Sequence, residues 1–221
     1  MATMPIHDPV TDVCFGFVFV AQAQLPGPLI RTVLPGELME SPATQVRIGG
    51  YSAASLLLER EPKQWHTLIL LDSGRQVTDF VNAQSLSSLV LRFDDVEGPS
   101  PNLLPPSGLQ IAQALTYAKG KERLLVSCRA GRGRSVALAY LITYQARGVA
   151  DALAVLDPTR HRPNRLVVRL GESVLEKPGA LSAFDDWCAR HAHIQLSDYY
   201  DEMEKEFEAL EAQGATNRIC P

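Results

Sequence analysis

Cys128 and Arg134 are separated by five residues in the stretch LLVSCRAGRGRS, residues 124–135. Leu124-Leu125-Val126 reads as a buried strand that runs into Cys128. Ser135 opens an apolar run, residues 136–142, that reads as a helix. Between them lie Arg129, Ala130, Gly131, Arg132 and Gly133. A glycine-rich turn from strand to helix N-terminus gathers unpaired N–H groups and the positive end of the helix dipole, which makes an anion cradle. A thiolate at its base and a guanidinium on its rim are the parts needed to hold a phosphate and attack it.

A phosphate monoester is already negative. It yields to a strong nucleophile only when its charge is neutralised and its leaving oxygen is protonated. Thiols at helix N-termini beside arginines ionise below the free value of ~8.5, which suits Cys128 to attack. Backbone N–H groups of residues 129–134 would hold the phosphoryl oxygens. Arg134 would clamp two of them in a bidentate pair. Gly131 and Gly133 let the backbone curl with its amides inward. The Ser135 hydroxyl can donate to the Cys128 sulfur and help it leave in the second half-reaction. Arg129 and Arg132 read equally as solvated side chains or as substrate contacts.

The general acid is expected on a nearby loop. Residues 88–93 alternate as a strand and deliver Asp94-Asp95 into a Pro/Gly-rich loop, residues 96–106. In a parallel sheet that strand and the one before Cys128 end on the same edge, where ligands bind. Asp95 is the expected acid, with Asp94 still part of the strand's geometry. It would protonate the leaving oxygen and then take a proton from water attacking the thiophosphate. Neither a metal nor a cofactor is required.

The elements that must position these residues alternate between strand and helix. Residues 13–21, 45–48 and 67–71 read as further strands, the last apolar throughout and so buried on both faces. The proline-bearing segment 24–42 reads as loop. Helices are predicted at 52–61 (stopped by Pro62), 76–83, from the Ser107 cap to Gly120, and at 135–147 (ended by Gly148). Others follow at 151–156, at 165–175 with Asn164 as cap, and at 181–192. A last helix carries Tyr199, Tyr200, Met203, Phe207 and Leu210 as an apolar stripe under a solvated acidic face. Arg160-His161-Arg162 reads as a solvated turn. The pattern predicts an α/β fold with a central, mostly parallel sheet flanked by helices in a single domain, residues 11–193. Residues 194–221 form an acidic C-terminal helix and tail packed on it.

Composition agrees with a globular chain: 221 residues, 46% hydrophobic and 21% charged. The net charge is −4, yet residues 197–211 hold seven acids and one lysine, so the remainder is mildly basic without a stripe suited to nucleic acid. Cys14, Cys128, Cys188 and Cys220 have no disulfide or zinc spacing, and the last-named pair and Cys14 read as inert. One reactive thiol suits a reducing, cytoplasmic compartment. The apolar run before Ala21-Gln22-Ala23 follows Asp8 and Asp12 with no Lys or Arg, so it reads as a strand and not a signal peptide. No run is long enough to span a bilayer.

Cys128-x5-Arg134-Ser135 between strand and helix resembles the cysteine-dependent protein tyrosine phosphatase superfamily. Chain size and Phe93-Asp94-Asp95 resemble its compact, prokaryotic-type dual-specificity branch, as does Pro163-Asn164 with the helix after it. The resemblance covers residues 46–175. It implies a mostly parallel sheet with helices on both faces, the second Asp as acid, and phosphate monoester hydrolysis through a phosphocysteine intermediate. Ser127 stands where the family has His, which implies a less activated sulfur. Arg129-Ala130-Gly131-Arg132-Gly133 resembles the Lys-Ala-Gly-Lys-Gly loop of lipid phosphatases related to the phosphatase and tensin homologue. From the resemblance to the dual-specificity branch, a phosphorylated protein is the first expected substrate. A phosphorylated small molecule or lipid headgroup, as an inositol polyphosphate or phosphoinositide phosphatase would take, is the second. A catalytically weak phosphate-binding module is the alternative outside catalysis.

Overall fold

The computed structural model describes residues 44–221. The predicted strand at 13–21, the loop at 24–42, the domain start at residue 11 and Cys14 lie outside the described residues. The chain runs β1 (Gln45–Gly49), α1 (Tyr51–Arg60), β2 (His66–Leu71), α2 (Asp79–Gln84), β3 (Ser87–Arg92), α3 (Gly108–Ala118) and β4 (Arg123–Ser127). Then come α4 (Arg134–Arg147), α5 (Val149–Ala154), α6 (Arg165–Leu175), α7 (Ala180–Arg190) and α8 (Leu196–Ala212).

The four strands form one sheet in the order β1-β4-β2-β3, and every pairing is parallel. β2 is apolar on both sides because both sides are covered. Leu68 and Leu70 enter the core under α3 and α4, whereas Ile69 and Leu71 enter the core under α1. Leu210 and Ile219 close that second core from the C-terminal segment. Ser127 lies level with Gly49 of β1 and Ile69 of β2. The loop after β4 therefore leaves the middle of the sheet's C-terminal edge, between the ends of its two neighbours.

α4 is buried at every residue from Arg134 to Tyr144, as expected of a helix apolar all round and packed centrally. It starts one residue before the predicted Ser135, and Gly148 (φ 90°) ends it. Gly148 also caps α5, which is why α5 begins at Val149 and not 151. α3 begins with a capping box between Ser107 and Gln110. α2 starts later than predicted because Thr78 is tied to the C-terminal tail: its N–H donates to the Ile219 carbonyl and its hydroxyl to the Arg218 carbonyl. The stripe read on α8 is only partly covered. Leu210 is buried, while Tyr200 and Phe207 are 57% and 47% exposed. The helix turns Glu206 inward instead (side chain 13% exposed).

Candidate active site

Cys128 follows β4 directly, and its side chain is buried at the base of the loop. Its Sγ lies 3.1 Å from the Ser135 Oγ on the first turn of α4. The loop is held down by the β1–α1 junction. The Tyr51 N–H donates to the Arg129 carbonyl, and Gly131 (φ 72°) presses so close to Gly49 and Gly50 that a Cβ there would sit 2.4 Å from the Gly50 nitrogen. Only glycine fits both that conformation and that approach. Gly133 has an ordinary φ, but a Cβ on it would meet Asp95 Oδ2 at 2.4 Å.

The Arg134 side chain is buried. Nη1 donates to the Phe93 carbonyl (2.6 Å) and Nη2 to Asp72 Oδ1 (2.6 Å). Those bonds fix the plane of the guanidinium. Nε has no hydrogen-bond partner among the described residues and lies 3.8 Å from Asp95 Oδ2. Burial disfavours the Arg134 charge, but the neighbouring Cys128 sulfur, Asp72 and Asp95 outweigh it and hold the group above its ordinary pKa. A donor edge left over on a rigid, always-charged fork is what an oxyanion needs.

The two aspartates after β3 differ. Asp94 is buried and accepts from the Leu104 N–H (2.7 Å), the Ser73 hydroxyl (2.7 Å) and the Ser73 N–H (3.1 Å). The Leu104 N–H above all, with the Ser73 donors, holds Asp94 below the usual carboxylate range. The Asp95 side chain is 44% exposed, and its Oδ1 accepts from Asn164 Nδ2 (2.8 Å). Asn164 also caps α6 by accepting from the Val167 N–H (3.0 Å), so one side chain ties that helix to the Asp95 loop.

Cys128, Arg134, Asp95, Arg129 and Gly133 line one pocket of about 390 Å³, within the size range of ligand sites. Ala130 and Arg132 also reach it, but Arg132 is neither solvated nor idle. It is buried, with Nη2 on Glu206 of α8 (2.5 Å), Nη1 on the Arg160 carbonyl (2.9 Å) and its guanidinium over the Tyr199 ring. Arg129 is exposed and makes no ion pair among the described residues. The Ser127 Oγ is buried without a hydrogen-bond partner among the described residues.

Four pocket residues escape a reading of the chain, Asp72, Glu97, Arg162 and Tyr199, as does the second role of Asn164. Asp72 reads as a strand-closing turn, Arg162 as part of a solvated turn and Tyr199 as one of an apolar stripe. Only the basic triplet Arg160-His161-Arg162 offered a signal. His161, at its centre, is buried and accepts from the Asp157 N–H through Nδ1. Among the described residues, no three His, Cys, Asp or Glu side chains converge as a metal site, and no helix is long and apolar enough to cross a membrane.

No family model matches the chain, and no curated protein matches it. Solved structures do. The chain is similar to PTPMT1 in complex with PI(5)P, at 14% identity over 63% of this chain and 94% of that one, TM-score 0.43. It is similar to Tk-PTP in the active form, at 17% identity over 61% and 92%, TM-score 0.39. A mouse protein described as a dual-specificity phosphatase, complexed with zinc tungstate, gives 18% identity over 69% and 98%, TM-score 0.39. The likeness is one of fold at low identity, and any function rests on the site's own geometry.

Proposed function

We propose that the protein hydrolyses phosphate monoesters through a phosphocysteine intermediate. The observation that carries this reading is the Cys128–Ser135 contact beside a pocket that Cys128, Asp95 and Arg134 line together. In the first step the Cys128 thiolate attacks phosphorus and the ester P–O bond breaks. Asp95 passes its proton to the departing oxygen. In the second, water attacks the phosphocysteine, Asp95 takes a proton from it, and the S–P bond breaks with the Ser135 hydroxyl donating to the sulfur. The amides of residues 129–134 and Arg134 hold the phosphoryl oxygens throughout. Asp72 and the Phe93 carbonyl hold Arg134 in place.

A phosphorylated protein, of the tyrosine or dual-specificity kind, is the first substrate to test. An inositol phosphate, free or as a lipid headgroup, is the second. Phosphate release from a phosphotyrosine peptide and from a soluble inositol polyphosphate decides the order. Cys128→Ser should abolish release from both, and release by that variant near the wild-type rate removes Cys128 from the mechanism. A second reading, a phosphate-binding module of little turnover, is favoured by the Ser127 hydroxyl, buried next to Cys128 in sequence without a hydrogen-bond partner among the described residues. Wild-type protein that binds vanadate but leaves an aryl phosphate intact supports it.

A further inference from the structure

We infer that Arg162, oriented by Tyr199 of α8, forms a subsite for a second phosphate on the same substrate molecule. The inference rests on the phosphatase reading only for where the first phosphate sits. Of the two loop cations that the chain's order offers for such a role, Arg129 is exposed at the pocket, whereas Arg132 is buried against Glu206, a carboxylate it shares with Arg160, and its guanidinium lies on the Tyr199 ring.

Arg162 is built differently. Its Nη1 donates to the carbonyls of Pro158 and His161, both at 2.8 Å, and its guanidinium carbon lies 5.0 Å from the centre of the Tyr199 ring. Its Nε and Nη2 carry no hydrogen bond, and it makes no ion pair, among the described residues. The group lines the same pocket as Cys128 and Arg134. A guanidinium with one nitrogen anchored, one face on an aromatic ring and donors to spare loses little freedom on binding an anion. Carbonyls fix its position without neutralising it, whereas Arg132 sits on a carboxylate that it shares with Arg160. The segment before α6, supported by α8, thus adds a fixed positive charge to that of the exposed Arg129 in a pocket that Glu97 also lines. A compound with two phosphates on one ring can offer one to the cradle and one to Arg162, whether it is a soluble inositol bisphosphate or the headgroup of a lipid.

Calorimetry on full-length Cys128→Ser protein tests this without turnover. An inositol with two adjacent phosphates should bind about tenfold or more tighter than an inositol monophosphate, the scale of one charge-assisted hydrogen bond. Arg162→Met should collapse that ratio toward one. Tyr199→Leu should lower it, and Tyr199→Phe, which keeps the ring, should retain it. Vesicles carrying phosphatidylinositol bisphosphate against monophosphate separate the lipid source from the free one, and preference in either arm supports the subsite. Equal affinities for the two compounds in both arms, or an undiminished ratio in a folded Arg162→Met protein, overturn it. A retained binding ratio with no wild-type turnover on either compound or on a phosphotyrosine peptide sinks the phosphatase reading and leaves the subsite standing.

Discussion

Asp94 and Asp95 are consecutive, yet their carboxylates belong to different structures. Asp94 accepts three hydrogen bonds, from Leu104 and twice from Ser73, and is buried as the fastening of its loop. Asp95 accepts one, from Asn164, and keeps Oδ2 near Arg134 at the pocket that holds Cys128. The first carboxylate is held ionised and fixed by its donors, and the second is half exposed at the pocket.

The two substitutions to asparagine should therefore separate. Asp95→Asn should slow hydrolysis of esters with poor leaving groups by about 100-fold or more, the usual contribution of a general acid, and activated aryl esters far less. Asp94→Asn should instead lower stability by about 1–3 kcal/mol in denaturant titration, because its amide faces donors with a donor. The stabilisation from Asp94, whose folded pKa is depressed, is present at neutral pH and is lost as pH falls below ~3.9 toward the lower folded value. A leaving-group effect in Asp94→Asn exchanges the two roles.

Gly131 and Gly133 should differ in kind. A Cβ at Gly131 meets backbone at φ 72°, so Gly131→Ala should unsettle the loop and lower the melting temperature. A Cβ at Gly133 meets the end of the Asp95 side chain, which can swing away. Gly133→Ala should leave the melting temperature nearly unchanged and reproduce the leaving-group signature of Asp95→Asn.

The Arg132–Glu206 pair joins the anion loop to α8 with side chains 4% and 13% exposed. Glu206 also pairs with Arg160 (3.3 Å), so Glu206→Ala leaves two guanidinium groups unpaired and should cost about 3–5 kcal/mol of stability. The apolar pair Arg132→Met with Glu206→Leu should recover part of that loss in thermal denaturation, Arg160 being left without its carboxylate. Additive losses in the double variant would show the pair is not coupled.

His161 is pushed down by burial to a pKa of about 3, and it accepts a hydrogen bond through Nδ1, which requires the neutral ring. A basic group with a depressed folded pKa is protonated preferentially in the unfolded chain below ~6.5. Stability should thus fall by up to about 1.4 kcal/mol per pH unit from 6.5 downward on its account. His161→Gln should flatten the slope between pH 4 and 6 in urea titrations (an interval on the order of that separating the two pKa values).

The chain's order was informative wherever structure is local. The apolar run of β2, the Ser107 capping box, the Asn164 cap and the glycine after α4 each depend on neighbours within a few residues. The Cys128–Arg134 loop was legible for the same reason. Convergence from distant segments was not. Nothing in the spacing of α8 tells which of its acids turns inward, because Glu206 sits in a run of like residues and its partner lies on another element. Arg162 and Tyr199 reach the pocket only through the packing of α8 against the segment before α6. Asp72 finds Arg134 because β2 and β4 are adjacent in the sheet, an order that their sequence separation does not reveal.

The phosphocysteine intermediate is the centre of the account, and it can be caught. Wild-type protein mixed with phosphate-labelled aryl ester and quenched within milliseconds in alkaline denaturant should carry one label on the peptide containing Cys128, seen by mass spectrometry and lost in Cys128→Ser. Turnover without any label on that peptide, or label that persists in Cys128→Ser, contradicts it.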